Sequence, residues 1–221
     1  MRSLPLPLAL IARLTPVAVL ACAGWALTSG PGATPSAAQD APGRDTAARS
    51  SSAPSSTAVP KTYAAAPAPC TSLAKKTITS LVPGAKTGGK EIPSSDSDAR
   101  RTCSWNALEG YDYRWLDVSF EVMDSEEQAG RSYQGRVEER KGGGAVPGLG
   151  DAAYSVVNLT TEDGQKTREG VVLARADNAL VVVTYNGSDF ESKDAPGTDE
   201  INKGAIKAAK EAVAALEDGG A

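Results

Sequence analysis

The sequence predicts an α+β domain, a meandering antiparallel sheet of about five strands with helices packed mainly on one face, in the order α-β-β-α-β-β-β-α. Three observations carry this. A strict two-residue alternation sets Leu116, Val118, Phe120 and Val122 against Trp115, Asp117, Ser119 and Glu121, the pattern of a half-buried antiparallel strand. Three further apolar runs, Ala153 to Leu159, Gly170 to Ala176 and Ala179 to Tyr185, are separated by Asp163-Gly164 and Asp177-Asn178, turn pairs that tolerate positive φ. Finally, Thr198 to Leu216 places Ile201, Ala205, Ala208, Ala209, Ala212, Val213 and Leu216 at helical spacing, a stripe of mostly small side chains suited to close packing on a sheet.

The other elements follow in order. Thr71 to Leu81 offers Leu73, Ile78 and Leu81 as one helical face, with Thr71 or Ser72 as the cap and Pro83-Gly84 as the stop. Gly88 to Arg101 reads as a polar loop. Cys103 to Leu108 is a strand placing Cys103 and Trp105 on one face, ahead of the alternating run. Ser125 and Gln128 have capping-box spacing, so a helix starts there, runs to about Lys141 and stops at Gly142-Gly143-Gly144. Its apolar stripe is only Ala129, Tyr133 and Val137, which predicts a helix at the sheet edge with most of its circumference wet.

Ahead of this domain the chain reads as an exported protein. Residues 1–27 hold the apolar run Leu14 to Leu27 behind Arg2 and Arg13, shorter than the roughly 20 residues of a full span. The sequence leaves three fates open. Val19-Leu20-Ala21-Cys22 resembles a bacterial lipobox, which would make Cys22 the lipidated first residue. Cleavage near Ser36-Ala37-Ala38 would release the chain as a secreted protein. An uncleaved anchor from about Leu4 to Leu27 would carry Arg13 inside it, at roughly 2.5 to 3.5 kcal/mol if central. Residues 28–69 have almost no large apolar side chain beyond Val59 and Tyr63, which predicts a disordered Ala/Ser/Pro/Thr-rich tether. Residues 70–221 form the single extracytoplasmic domain.

The chain has three cysteines. Two, Cys70 and Cys103, lie in the folded part, so an exported chain would pair them and leave Cys22 over for lipid. From Cys70 to Ala221 there are 18 Lys and Arg against 25 Asp and Glu, a net of −7. That balance argues against nucleic acid and against electrostatic docking on anionic lipid, leaving the N-terminal segment as the membrane contact. The chain contains no histidine. Ser-His and Cys-His nucleophile pairs and imidazole zinc sites are therefore excluded.

Pro69-Cys70-Thr71-Ser72-Leu73 opening a helix, Cys103-Ser104-Trp105 opening a strand, and Val146-Pro147-Gly148-Leu149-Gly150-Asp151-Ala152-Ala153 before the last meander together resemble the actinobacterial exported proteins and lipoproteins grouped as domain of unknown function 3558. The resemblance covers most of Cys70 to Leu216. It implies a secreted or lipid-anchored α+β domain with one disulfide, and it brings no catalytic residues.

No catalytic constellation, metal set or cofactor motif emerges from the residues. Gly142-Gly143-Gly144 follows a helix, and Gly148-Leu149-Gly150 lacks the Lys and the following helix of a phosphate loop. Tyr111, Tyr113 and Trp115 are the candidate ligand-binding group, bunched at a strand entrance with Trp115 on the face that should meet water. The expectation is a non-enzymatic envelope domain binding a ligand or protein partner. The alternatives are a carboxylate-based hydrolase of cell-wall or sugar substrates, the acid/base chemistry open to a histidine-free acidic domain, or a purely structural protein.

Overall fold

The computed structural model describes residues 61–219. Helix α1 (Lys75–Leu81) is followed by β1 (Lys90–Ile92), β2 (Arg100–Glu109) and β3 (Asp112–Val122), then α2 (Glu126–Glu139), β4 (Gly144–Ala145), β5 (Ala152–Glu162), β6 (Gln165–Ala176), β7 (Ala179–Asp189) and α3 (Thr198–Gly219). The strands form one antiparallel sheet of seven in the order β1-β2-β3-β7-β6-β5-β4. The mixed α+β antiparallel architecture stands, but the strand count rises from about five to seven and the order becomes α-β-β-β-α-β-β-β-β-α. The two additions, β1 and β4, are three- and two-residue edges inside stretches expected as loop. Both are too short and polar for a periodicity to show.

The register explains the core. Leu116, Val118, Phe120 and Val122 on β3 pair with Tyr185, Val183, Val181 and Ala179 on β7. These in turn pair with Gly170, Val172, Ala174 and Ala176 on β6. All of them share one face of the pleat, the first face, because successive residues of a strand point to opposite sides. Helix α3 lies on it, with Ile201, Ala205, Ala208, Ala209 and Ala212 fully buried. Small residues on both surfaces bring helix and sheet together. A Cβ on Gly204 would stand 2.6 Å from the Tyr185 ring, and one on Gly170 would stand 2.9 Å from Ile201. Tyr185 is sealed beneath, its hydroxyl donating to the carbonyl of Leu81 at 2.7 Å.

Helix α1 begins later than the sequence suggests, at Lys75, with Ala74 as an N-cap that makes no side-chain bond. Thr71 and Ser72 instead bond the carbonyls of Ala68 and Pro69 in a single 3-10 turn. The cap is supplied by a distant helix. Glu211 of α3 accepts from the Ala74 N–H at 2.9 Å, one of the donors that a helix start leaves open, and from the Thr77 hydroxyl at 2.6 Å.

Cys70 and Cys103 are disulfide-bonded across 33 residues, with Cα atoms 5.1 Å apart. Closing a loop of that length stabilises by roughly 3 to 4 kcal/mol in the chain-entropy picture. The folded unit also takes in part of the stretch expected as tether. Tyr63, Ala66 and Pro69 are buried, and Tyr63 is held through its backbone by the fully buried Asn178. Asn178 Oδ1 accepts from the Tyr63 N–H at 2.8 Å, and Nδ2 donates to the Tyr63 and Met123 carbonyls, each at 2.9 Å. The boundary at Cys70 therefore moves to before Tyr63. An Ala/Pro-rich composition hides this, because a single aromatic side chain and backbone hydrogen bonds do the docking.

The Val146-to-Ala153 motif is structural. Val146 and Leu149 plug the end of the core. Gly148 and Gly150 take positive φ, and at Gly150 the backbone lies so close to the Arg175 carbonyl that a Cβ would collide with it. Asp151 then accepts from the Asp177 N–H at 2.8 Å, bracing the β6–β7 turn that carries Asn178.

Candidate functional site

The second face of the sheet is made of the alternate residues, and it is covered only in part. Helix α2 starts at Ser125, whose side chain accepts from the Gln128 N–H at 3.2 Å as the box spacing predicts, while Gln128 Oε1 accepts from the N–H of Asp124, one residue before the cap, at 3.0 Å. Its stripe packs Tyr133 and Val137 on Val156, Val171, Leu173 and Val182. The helix therefore lies over β5, β6 and β7 on the face opposite α3, and the expectation of an edge position is corrected. Those strands carry apolar residues on both faces at this end, and the narrow stripe of α2 is what covers the second one. Arg136 fastens the helix to β3 through both oxygens of Glu121, at 3.1 and 2.5 Å.

Beyond that post the second face is open, and here the side chains turn polar. Thr102, Ser104 and Asn106 of β2 pair with Ser119, Asp117 and Trp115 of β3. Trp115, Asp117 and Tyr113 pair on their other side with Asn186, Thr184 and Ser188 of β7. The Thr102 hydroxyl donates to Ser119 Oγ at 2.9 Å. Where β1 and its following loop meet β2, a groove of about 490 Å³ opens, lined among others by Ile92, Asp96, Arg100, Thr102 and Asp117. Arg100 reaches Glu121 only at 3.8 Å and is largely solvated.

Two of the three aromatic residues singled out in the sequence meet on this face. Tyr113 stands edge-on to Trp115, with ring centroids 6.4 Å apart and planes at 85°. The indole Nε1 of Trp115 donates to Asp117 Oδ1 at 2.6 Å, which fixes the ring against the strand. Tyr111 lies in the β2–β3 turn and is joined to the group by its backbone, its carbonyl accepting from the Phe190 N–H at 2.9 Å. Phe190 is the residue that the sequence pattern does not bring forward. Its ring sits 6.0 Å from that of Tyr113. Leu108, the cross-strand partner of Tyr113, extends the patch on the other side. Trp115, Phe190 and Leu108 expose 36, 47 and 57% of their surface, so the cluster is contiguous and uncovered. A signal for Phe190 does exist: it continues the parity of Asn186 and Ser188 along β7, one residue past the strand end.

The electrostatics are mixed. Burial pushes the Tyr113 phenol up, and the neighbouring Asp117 charge adds to the shift. On the other side of β1 and β2, in register with Cys103 and Phe120, the guanidinium of Arg101 holds Glu91 below the usual carboxylate range, with bonds of 2.6 and 2.9 Å. Asp189 is lowered by donors from Ser192 and Glu191. One buried side-chain atom among the described residues lacks a hydrogen-bond partner, the hydroxyl of Ser104, and it lies opposite Asp117 on the open face. No group of three or more acidic or cysteine side chains among the described residues is placed to hold a metal ion.

Of the cysteines, Cys70 and Cys103 form the expected bridge. Cys22 and the apolar run lie outside the described residues, and among those described no helix is long and apolar enough to cross a membrane.

No family model matches the chain, that of domain of unknown function 3558 included, and no curated protein matches it. Among solved structures it is similar to the extracellular domain of PknH from Mycobacterium tuberculosis, with 13% identity over 66% of this chain and 92% of that one and a TM-score of 0.37. It is also similar to LpqN of the same organism, described as involved in cell envelope biogenesis, with 14% identity over 53% and 80% and a TM-score of 0.27. A protein from Bacteroides thetaiotaomicron shows 10% identity over half of each chain, with a TM-score of 0.26. Two of these three neighbours are mycobacterial extracellular or cell-envelope proteins.

Proposed function

We propose that this is an extracytoplasmic, membrane-tethered, non-enzymatic domain that binds a ligand or protein partner of the cell envelope on the open part of its second sheet face. The observation that carries the reading is the uncovered cluster of Leu108, Tyr113, Trp115 and Phe190, contiguous on a sheet whose other apolar clusters lie beneath a helix. Leaving such a patch in water forgoes burial at about 25 cal/mol per Å², a cost that a binding role explains. The export segment and the Cys70–Cys103 bridge support an oxidising location outside the cytoplasm.

The carboxylates of the groove support binding over hydrolysis. Asp96 Oδ1 accepts the N–H groups of Asp98 and Ala99 at 3.1 and 3.0 Å, which makes it the residue that shapes the loop. Asp117 orients the indole. Each is thus engaged by donors of the protein itself, a positioning role that the binding reading uses.

The test is oxidative footprinting of the aromatic side chains in intact cells and in the purified chain. Binding in the envelope should protect Trp115, Tyr113 and Phe190 in cells relative to the purified protein, while the exposed helix residues Lys207 and Lys210 label alike. Equal labelling of the cluster in both states would sink the proposal.

A further inference from the structure

We infer that the ligand is a neutral oligosaccharide, one sugar ring lying on Trp115 and the next reaching into the groove beside Asp117. This rests on the binding reading above and adds the chemistry of what is bound. The argument begins with the residues that surround the indole. In the ladder Trp115 stands directly between Asn106 of β2 and Asn186 of β7. Two positions along the strand, Asp117 stands between Ser104 and Thr184. Adjacent strands are about 4.8 Å apart, so the two amides flank the ring at the distance of its own edges.

An exposed plate rimmed by amides, hydroxyls and one carboxylate fits few ligand classes. A pyranose has one face of C–H groups, weakly positive, and a rim of hydroxyls that each donate and accept. The C–H face matches the negative face of an indole. The rim matches side chains that also both donate and accept, as Asn, Ser and Thr do. The unpartnered hydroxyl of Ser104 adds a polar group whose burial costs about 1 to 3 kcal/mol, a penalty tolerated at this one place among the described residues and next to Asp117. The groove volume of about 490 Å³ falls within the 300 to 1,000 Å³ usual for small-ligand sites.

Other classes fit less well. A wholly apolar ligand would desolvate the Asn106 and Asn186 amides without partners and would leave Asp117 with the indole N–H alone. An extended peptide adding a strand would use the edge of β2 at Trp105 to Glu109, which β1 leaves unpaired, and it would lie a full strand away from Trp115 on β3. An anionic polymer would find one cation in the groove, Arg100, against Asp96 and Asp117, in a domain whose net charge is negative.

The chain holds three tryptophans, Trp25, Trp105 and Trp115, so indole-labelled protein gives three Nε1–H signals, and Trp115→Phe assigns the one that matters. The full chain is kept in a detergent without a sugar headgroup and titrated with maltotetraose, with N-acetylchitotetraose and, separately, with the apolar dye ANS. Either oligosaccharide should move the Trp115 signal and leave that of Trp105, which is 1% exposed, in place. Trp115→Ala should weaken the interaction about 30-fold or more, as for a hot-spot aromatic. Asn106→Ala should weaken it about tenfold, the effect of stranding a sugar hydroxyl without its partner. A Trp115 signal moved by ANS and by neither oligosaccharide overturns the saccharide inference and leaves the binding face standing. A signal moved by none of the three overturns the inference, and the footprinting in cells then decides the broader reading independently. Because the titration reads the unmodified protein, a variant that folds poorly does not blunt it.

Discussion

The second face of the sheet contains two regions built on the same backbone and finished in opposite ways. Under α2 it shows Val156, Val171, Leu173 and Val182; beyond Glu121 and Arg136 it shows Thr102, Ser104, Asn106, Asp117, Thr184 and Asn186. Along β7 the change takes one step of the alternation, from Val182 to Thr184. A sheet that needed only stability would end its apolar surface where its helix ends, and this one almost does. The exception is the aromatic cluster, which continues apolar surface into the polar region with nothing over it. Packing accounts for the other large apolar groups of β3 and β7, and the exception is what the function has to explain.

That contrast breaks down most visibly if aromatic residues on the two faces turn out to matter equally for stability. Phe120 is fully buried on the first face, so Phe120→Ala should cost about 3 to 5 kcal/mol. Trp115→Ala, on the open face, should cost about 1 kcal/mol or less while weakening ligand binding about 30-fold or more. Urea unfolding followed by circular dichroism measures both. A loss for Trp115→Ala as large as that for Phe120→Ala would make the cluster a core element and remove its claim to be a site.

How much of this is legible in the sequence follows from which signals are periodic. The alternation of β3 and the helical stripe of α3 repeat over many residues, and both place their faces correctly. The position of α2 cannot be read, because three stripe residues say that a helix is half wet but not which surface it dries. The site is half legible for a similar reason. Tyr113 and Trp115 lie in one alternating run, whereas Phe190 follows β7, 75 positions further along than Trp115, and joins them only through the β3–β7 pairing. Tyr111 groups with them by proximity in sequence, yet it contributes a carbonyl. Glu211 as the cap of α1 and Asn178 as the clamp on Tyr63 are single long-range contacts with no local signature.

A second way to sharpen the comparison uses that clamp, which belongs to the closed side of the molecule. Asn178→Ala removes the partners of the Tyr63 N–H and of the Tyr63 and Met123 carbonyls at once, and should cost about 2 to 4 kcal/mol. A chain shortened to begin at Cys70 should show a comparable loss, because it lacks Tyr63 altogether, and Asn178→Ala within it should then add little. Thermal melts of the four chains test this. Full additivity of the two changes would mean that Asn178 supports something other than the Lys61–Pro69 segment.

The smallest effect expected separates the margins of the sheet from its core by acid. Asp189, at the end of β7 beside Phe190, accepts from the Ser192 N–H at 2.7 Å, the Ser192 hydroxyl at 2.8 Å and the Glu191 N–H at 3.0 Å, which hold its carboxyl below the ordinary range. Glu91 on β1 is lowered likewise by Arg101. A carboxyl with a depressed folded pKa binds fewer protons folded than unfolded. Its contribution is therefore complete above the ordinary carboxylate pKa of about 4 and fades as pH falls through the lower folded value. Both groups lie at the solvated margins of the sheet, Glu91 on the edge strand β1 and Asp189 at the end of β7, so each effect is small and weakened by salt. In acid, amide exchange should therefore loosen first at residues 189–194 and at β1, while Phe120 and Val181 beneath α3 keep their protection. Asp189→Asn should lower the melting temperature near neutral pH, and its gap to the unaltered protein should close as the pH drops. A gap that stayed constant down to about pH 2 would show that the hydrogen bonds at Asp189 act without its charge, and that this end of β7 is no more acid-sensitive than the core.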